Sequence, residues 1–360
     1  MNKSEVVVLK TKPGSVVSDY GELMRRARYR EILDPQIPTL LKLNLSWTKY
    51  FPACSSQPWQ VHGVVKTMID DGYDRDKLIP IENKTVVTNP VKGAVNNRWM
   101  KVLDEYGLDF TPLPDVKWIK YQFAEPLLKL SEIFPEGIEI PEMFLGKNVL
   151  HLPTVKTHGH STTTGAIKNS FGGLLKTVRH YAHKYMHEVL VDLVIMQKEL
   201  HPAVFAVMDG TVAGNGAGPR TMLPVEKDYI LASSDSVAID SVAASMMGFD
   251  PMTIPYLKMC HERGLGVADP ARIEVLGEDI EGVNFGFTVK RSFVIWGDQL
   301  IRKGWLQPLE RLLLHSPLVV WAPFASNVYH DMFWYPTVGM SRIRRFNKGK
   351  WGRLFDTYRQ

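Results

Sequence analysis

Short apolar runs of strand length recur along this chain, separated by stretches of helical length, and that alternation limits the fold more than any other feature. Val6–Leu9, Leu40–Leu45, Leu78–Glu82 and Val116–Lys120 read as strands. Between them Pro58 opens a helix that reaches Asp71 ahead of Gly72, and Asn96–Tyr106 is a helix stopped by Gly107. Parallel strands need crossovers of this length, so the pattern predicts an α/β fold, a mainly parallel sheet with helical crossovers and Rossmann-like layers. The alternation continues through strands at Lys147–Leu152, Ala203–Met208 and Asp228–Ala232, then a helix from Asp235 to Met247 and another at Ile254–Arg263. Strands at Arg272–Leu276 and Phe285–Val289 and a long apolar helix at Val294–Leu314 complete it. Pro135, Gly137 and Pro141 mark 134–143 as a connector. The chain divides accordingly into an N-terminal α/β part (1–145), a central α/β part with the polar site (146–290) and a C-terminal helix with a basic, aromatic tail (291–360).

The strand ending at Leu152 feeds a stretch, Leu152–Gly173, that is too polar for a core and too varied for a linker. It holds His158, His160, Lys156, Lys168, Asn169, the hydroxyls Ser161 to Thr164, and Gly165. Freed backbone N–H groups, hydroxyls and ammonium groups converge readily on a phosphate or carboxylate, and imidazoles add proton transfer or metal ligation. The spacing does not match the G-x-x-x-x-G-K-[ST] phosphate loop, which argues against that kind of ATP hydrolysis. Downstream, His180, His183 and His187 stand at i, i+3 and i+7, within about 60° on one helix face at roughly 100° per residue. They are expected to turn inward.

A second glycine-rich segment, Asp209–Arg220, follows the strand Ala203–Met208 and lacks the G-x-G-x-x-G order. It is expected to be a mobile loop approaching a ligand, with Arg220 as an anion clamp. Asp235 reads as a helix cap; Asp240, one turn further in, has no capping duty and is the stronger ligand candidate. Lys42 and Asn44 join the same pocket if their strand lies beside the one ending at Leu152. Trp47, Trp59 and Trp99 read mainly as packing residues.

A net charge of +5 with pI about 8.9 is mild for 360 residues and fits a small anionic molecule, with no nucleic acid expected as a partner. Only Cys54 and Cys260 are present, far apart, so neither a disulfide framework nor an iron–sulfur cluster is expected. No apolar run reaches membrane-spanning length and the first residues lack a signal pattern, which predicts a cytoplasmic protein. The final twenty residues carry seven Lys or Arg against one Asp, interleaved with Trp351, Leu354 and Phe355. Residues 317–360 therefore read as an arm over the core or against a second subunit, in a homo-oligomer, or as a contact with an anionic membrane or partner.

These pieces resemble the family called domain of unknown function 362. The matching residues are Lys42-Leu-Asn44, Pro153-Thr-Val-Lys-Thr-His158, Thr164-Gly-Ala-Ile-Lys-Asn169 with Phe171-Gly172, Asp209-Gly210, Gly218-Pro219, Ala232 through Asp240, and Met247-Gly248. Many family members add a ferredoxin-like segment with cysteine-ligated clusters; this chain lacks the cysteines for one. A more distant similarity, to lactate racemase, implies a catalytic histidine, a glycine-rich turn, a cofactor-holding lysine and a later metal-binding histidine, matched here by His158, Gly165, Lys168 and His183 or His187.

Taken together, the residues predict an enzyme for a small carboxylate or phosphate-bearing molecule, working by proton or hydride transfer as an isomerase, a racemase or an oxidoreductase. His158 and His160 are the expected acid and base, with Asp209 beside them. Lys42, Asn44, Lys156, Thr164, Gly165, Lys168, Asn169, Arg220 and Asp240 are expected to hold the anion or a phosphate-bearing organic cofactor. Two alternatives stand: a divalent metal held between His158 or His160 and the His183/His187 pair, with Asp209 or Asp240 completing the site, and a non-catalytic ligand-binding or assembly protein.

Overall fold

Strands buried on both faces need near-continuous apolar runs, and the central strands of this chain have them. The structure is a computed structural model describing residues 3–85, 88–176, 182–290, 296–297, 300–301, 304 and 321–359. Twelve strands occur among these: β1 (Ser4–Lys10), β2 (Thr39–Lys42), β3 (Leu78–Glu82), β4 (Thr111–Pro112), β5 (Trp118–Tyr121), β6 (Ile138–Pro141), β7 (Asn148–His151), β8 (Thr154–His158), β9 (Thr162–Thr164), β10 (Val204–Ala217), β11 (Thr221–Ser233) and β12 (Ile273–Gly277). Ten form one sheet in the order β12-β1-β11-β10-β7-β2-β3-β4, with β8 paired to β10 and β9 paired to β8. The pairings β10/β7, β7/β2, β2/β3 and β3/β4 are parallel, while β1/β11, β10/β11 and β8/β9 are antiparallel. The fold is α/β with a mainly parallel sheet, as the alternation predicts.

Alternate residues of the strands face opposite helical layers. Leu41, Leu43, Leu150, Leu152, Phe205 and Val207 meet the layer built by Val16–Arg26, Pro58–Asp70, Trp99–Tyr106 and the C-terminal helices. Leu40, Ile81 and Val149 face the layer that includes Ala166–Leu174 and Met186–Leu200. Strands from 1–145 and from 146–290 share the one sheet. The C-terminal arm packs into the first of these layers: Trp351 lies 5.1 Å from Trp59, ring centre to ring centre, and Phe355 stacks on Tyr50 at 3.9 Å. Among the described residues no helix is long and apolar enough to cross a membrane.

Four expectations change. The segment Asp209–Ala217 is strand, not mobile loop, because its glycines admit neighbours: a Cβ at Gly214 would stand 2.4 Å from Met222 Sδ and 3.0 Å from Lys156 Cβ. Ile138–Pro141, within the expected connector, pairs with β5 in a separate two-stranded sheet. Phe285–Val289 forms no strand: Val289 bridges to Gly216, while the amides of Phe285 and Phe287 donate to the carbonyls of Met246 and Met247 at the end of a helix. The helix after the polar stretch starts at Met186, so His183 lies in a 3₁₀ turn before it and shares no regular helix face with His187. His180 and most of the expected helix at 294–314 lie outside the described residues.

Candidate functional site

Parallel register brings the carboxyl ends of three strands together, where open α/β sheets bind ligands. Lys42 of β2 pairs with Ile81 of β3 on one side and His151 of β7 on the other. The helix Ala166–Leu174 follows β9 and lies against these ends. Its glycines make room: a Cβ at Gly173 would sit 3.2 Å from Lys42 Cε. Lys42 is 2% exposed and its ammonium is 2.9 Å from the Glu82 carboxylate. The other Glu82 oxygen, Oε2, is buried without a hydrogen-bond partner among the described residues.

Lys156 lies deeper, at 0% exposure. Its ammonium donates to Asn44 Oδ1 at 2.5 Å, Thr154 Oγ1 at 2.7 Å and the Cys54 carbonyl at 2.8 Å. All three donors are used, and all three acceptors are neutral. Burial lowers the Lys156 pKa to about 8, opposed chiefly by the nearby Cys54 and Glu82. Asn44 in turn donates to Asn169 Oδ1 at 3.3 Å, and Asn169 Nδ2 donates to the Lys42 carbonyl at 2.9 Å. Lys42, Asn44, Lys156 and Asn169 therefore form one buried polar network, joined by His151, which pairs with Gln197 at 2.5 Å and is held neutral by burial, its pKa near 3.

The β8–β9 hairpin places Lys156 opposite Thr164 and His158 opposite Thr162, on one face. Thr164 Oγ1 is buried beside this network without a partner among the described residues. On the other face Thr163 Oγ1 lies 3.0 Å from the Tyr256 hydroxyl. At the end of the hairpin three imidazoles gather: His160 is 5.8 Å from His158 and 5.5 Å from His183 between ring centres, and His183 lies edge-on to Phe171 at 5.7 Å. The Lys168 ammonium stands 5.3 Å from the same Phe171 ring. His158 is 4% exposed; burial first, then the charges of Lys168, His160 and His183, push its pKa well below the usual imidazole value. It is neutral at pH 7, and its Nδ1 accepts the His160 amide at 3.1 Å, which leaves the proton on Nε2. Such an imidazole donates a hydrogen bond. His160 is less buried.

Other expected residues lie apart from this cluster or are used structurally. Asp209 is fully buried against the helices Val16–Arg26 and Pro58–Asp70, its carboxyl group accepting from Tyr20 at 2.6 Å, Trp59 at 3.0 Å and Thr211 at 2.8 Å. Asp240 accepts the amides of Ala166 at 2.6 Å and Ile167 at 3.2 Å, capping a helix other than its own. Gly165 is glycine for that reason: a Cβ there would stand 2.0 Å from Asp240 Oδ1. Arg220 reaches Ser326 at 2.9 Å on the C-terminal arm, and its Nη1 is buried without a partner among the described residues. His187 stacks on Tyr256 at 6.0 Å. No group of three or more ligating side chains is placed to hold a metal ion among the described residues. A groove of about 550 Å³ lies at the amino ends of β1 and β10, bordered by His201, His261 and Arg272, away from the imidazoles.

Sequence reasoning missed Glu82, His151 and Cys54. Glu82 had a visible signal, a carboxylate closing an apolar strand; His151 and Cys54 had none, because their roles come from strand order and loop placement.

Comparison with known proteins supplies a family. The thylakoid-associated protein of Synechocystis sp. (strain ATCC 27184 / PCC 6803 / Kazusa) is 34% identical over 121 residues, spanning 32% of this chain and 37% of that protein's own length. A crystal structure of a Thermotoga maritima protein aligns with 71% of this chain and 60% of that one at 10% identity, with a TM-score of 0.41. The family model described as Domain of unknown function (DUF362) matches residues 39–245, more than half of the chain, and the matched span contains every member of the network and of the imidazole cluster described above. The chain belongs to that family.

Proposed function

We propose that this protein is an enzyme for a small anionic molecule, a carboxylate or a phosphate ester, bound at the imidazole cluster and altered by proton or hydride transfer. The observation that carries this reading is the meeting of His158, His160, His183 and Lys168 at one hairpin end, above the buried Lys156 network. Lys168 supplies the positive charge that an anion needs. His158 donates a hydrogen bond to an oxygen on which negative charge develops, as a neutral imidazole can. His160, the less buried of the two imidazoles, carries the proton, since an imidazole can both give and take one in a reversible transfer. Lys156, Asn44 and Asn169 hold the hairpin and helix in register beneath.

A test that assumes no single substrate is solvent-deuterium exchange, followed by NMR, at the carbon next to the carboxylate in 2-hydroxy acids such as lactate. Exchange by the parent, lost in His160→Ala and reduced at least tenfold in His158→Ala, is the expected result. Exchange unchanged in both variants defeats the assignment. The ring separations of 5.5–5.8 Å also suit two imidazoles sharing one ion, so a divalent metal is the second reading. Metal analysis of untagged protein decides between them, with less than about a tenth of an equivalent ruling the metal out. We take the protein as cytoplasmic, and the thylakoid association in the relative's name directs attention to membrane contact at its surface.

A further inference from the structure

From residue 321 to 348 the backbone is helical without interruption, with a π-helical stretch at Val328–Gly339 between α-helical turns. At roughly 100° per residue in α-helix and about 80° in π-helix, two opposite stripes emerge. The inner stripe carries Ser326, His330, Trp334 and Phe346, all buried. It is fixed to the protein: Trp334 lies 5.3 Å from Phe51 and 6.0 Å from Trp47, and the Trp47 indole donates to Asp331 at 2.7 Å.

The outer stripe should be polar if it met only water. Instead Phe324 is 68%, Met332 73% and Phe333 63% exposed, with Val328 also exposed between them. The same stripe continues into Arg344, Arg345 and Lys348, all exposed. The helix thus presents large flexible apolar side chains followed by a block of cations, with no acidic residue on that stripe.

We infer that this outer stripe is a docking surface for an anionic lipid bilayer, with Phe324, Met332 and Phe333 entering the acyl boundary and Arg344, Arg345 and Lys348 lying among the headgroups. Charge complementarity selects this occupant. A second copy of the same helix offers the three cations either an identical set or its apolar end, neither of which neutralises them, whereas an anionic surface attracts them all. The side chains are long enough to reach only the interface, so the attachment is peripheral and reversible. The inner stripe stays on the core, which leaves the hairpin site unchanged by docking.

The test is co-sedimentation of the full-length protein with vesicles of phosphatidylcholine alone and with 30% phosphatidylglycerol. Binding is expected to the anionic vesicles only, and to be reversed by high salt. Arg344→Glu/Arg345→Glu/Lys348→Glu is expected to lower the partition coefficient roughly a hundredfold or more. Phe324→Ser/Met332→Ser/Phe333→Ser should do likewise with an unchanged circular dichroism spectrum. Equal sedimentation of parent and both variants overturns the inference. So does a stable dimer in light scattering that the serine variant dissolves while vesicle binding is absent throughout.

Discussion

Replacing Gly165 by alanine tests how the site is held together. The backbone there is extended, with φ −151° and ψ −153°, which alanine can adopt, so any cost comes from space. A Cβ at this position would lie 2.0 Å from Asp240 Oδ1 and 2.3 Å from its Cγ. Asp240 must then leave the two amides it caps. Hydrogen bonds to charged groups contribute roughly 1.5–3 kcal/mol each, and loss of a cap costs about 0.5–2 kcal/mol, so the alanine variant should lose roughly 3–5 kcal/mol. Urea unfolding measures this as a lowered midpoint at unchanged slope. The decisive arm is the double variant: in an Asp240→Ala background the clash partner is gone, so Gly165→Ala should add less than about 1 kcal/mol. Additive losses, or a single-variant loss under about 0.5 kcal/mol, refute the reasoning.

Other consequences follow from the same geometry. Lys42→Met alone should cost about 3–5 kcal/mol by leaving Glu82 buried and unpaired, and Lys42→Met/Glu82→Leu should recover most of that loss in the same unfolding assay. Asp209, raised to about 6 by burial against an unfolded value near 3.9, favours the folded state in its protonated form. Its contribution is present below pH 4 and lost as pH rises through 6, so Asp209→Asn should flatten the fall in stability between pH 4 and 7 by up to about 3 kcal/mol. Gly218→Ala would bring a Cβ within 1.8 Å of the Thr157 carbonyl oxygen, and calorimetry should show a Tm lower by several degrees.

Much of the fold was legible because strands buried on both faces announce themselves: Leu78–Glu82 has the bounds read from its apolar run, and the Asp235 cap with Gly248 past the helix end is as expected. What misled was glycine. In Asp209–Ala217 it signals close approach by Met222, Lys156 and the neighbouring strand, and sequence does not separate that from loop mobility. The site was partly legible: Lys42, Asn44, Lys156 and Asn169 do meet, and His158, His160, Lys168 and His183 do gather. Asp209 and Asp240 were not placed correctly, since a buried carboxylate looks the same in sequence whether it caps a helix from another element or acts on a substrate. Only the crossing of helices distinguishes the two.

The proposed activity requires the imidazole and lysine cluster to hold a small anion. Native mass spectrometry of the protein purified from its own host, beside Lys168→Ala and His160→Ala prepared the same way, addresses this most directly. The parent should carry an adduct of small-molecule mass that both variants lack, or acquire one at lower concentrations of lactate or inorganic phosphate than they do. Identical bare masses in all three, with no difference in uptake of either anion, would contradict it.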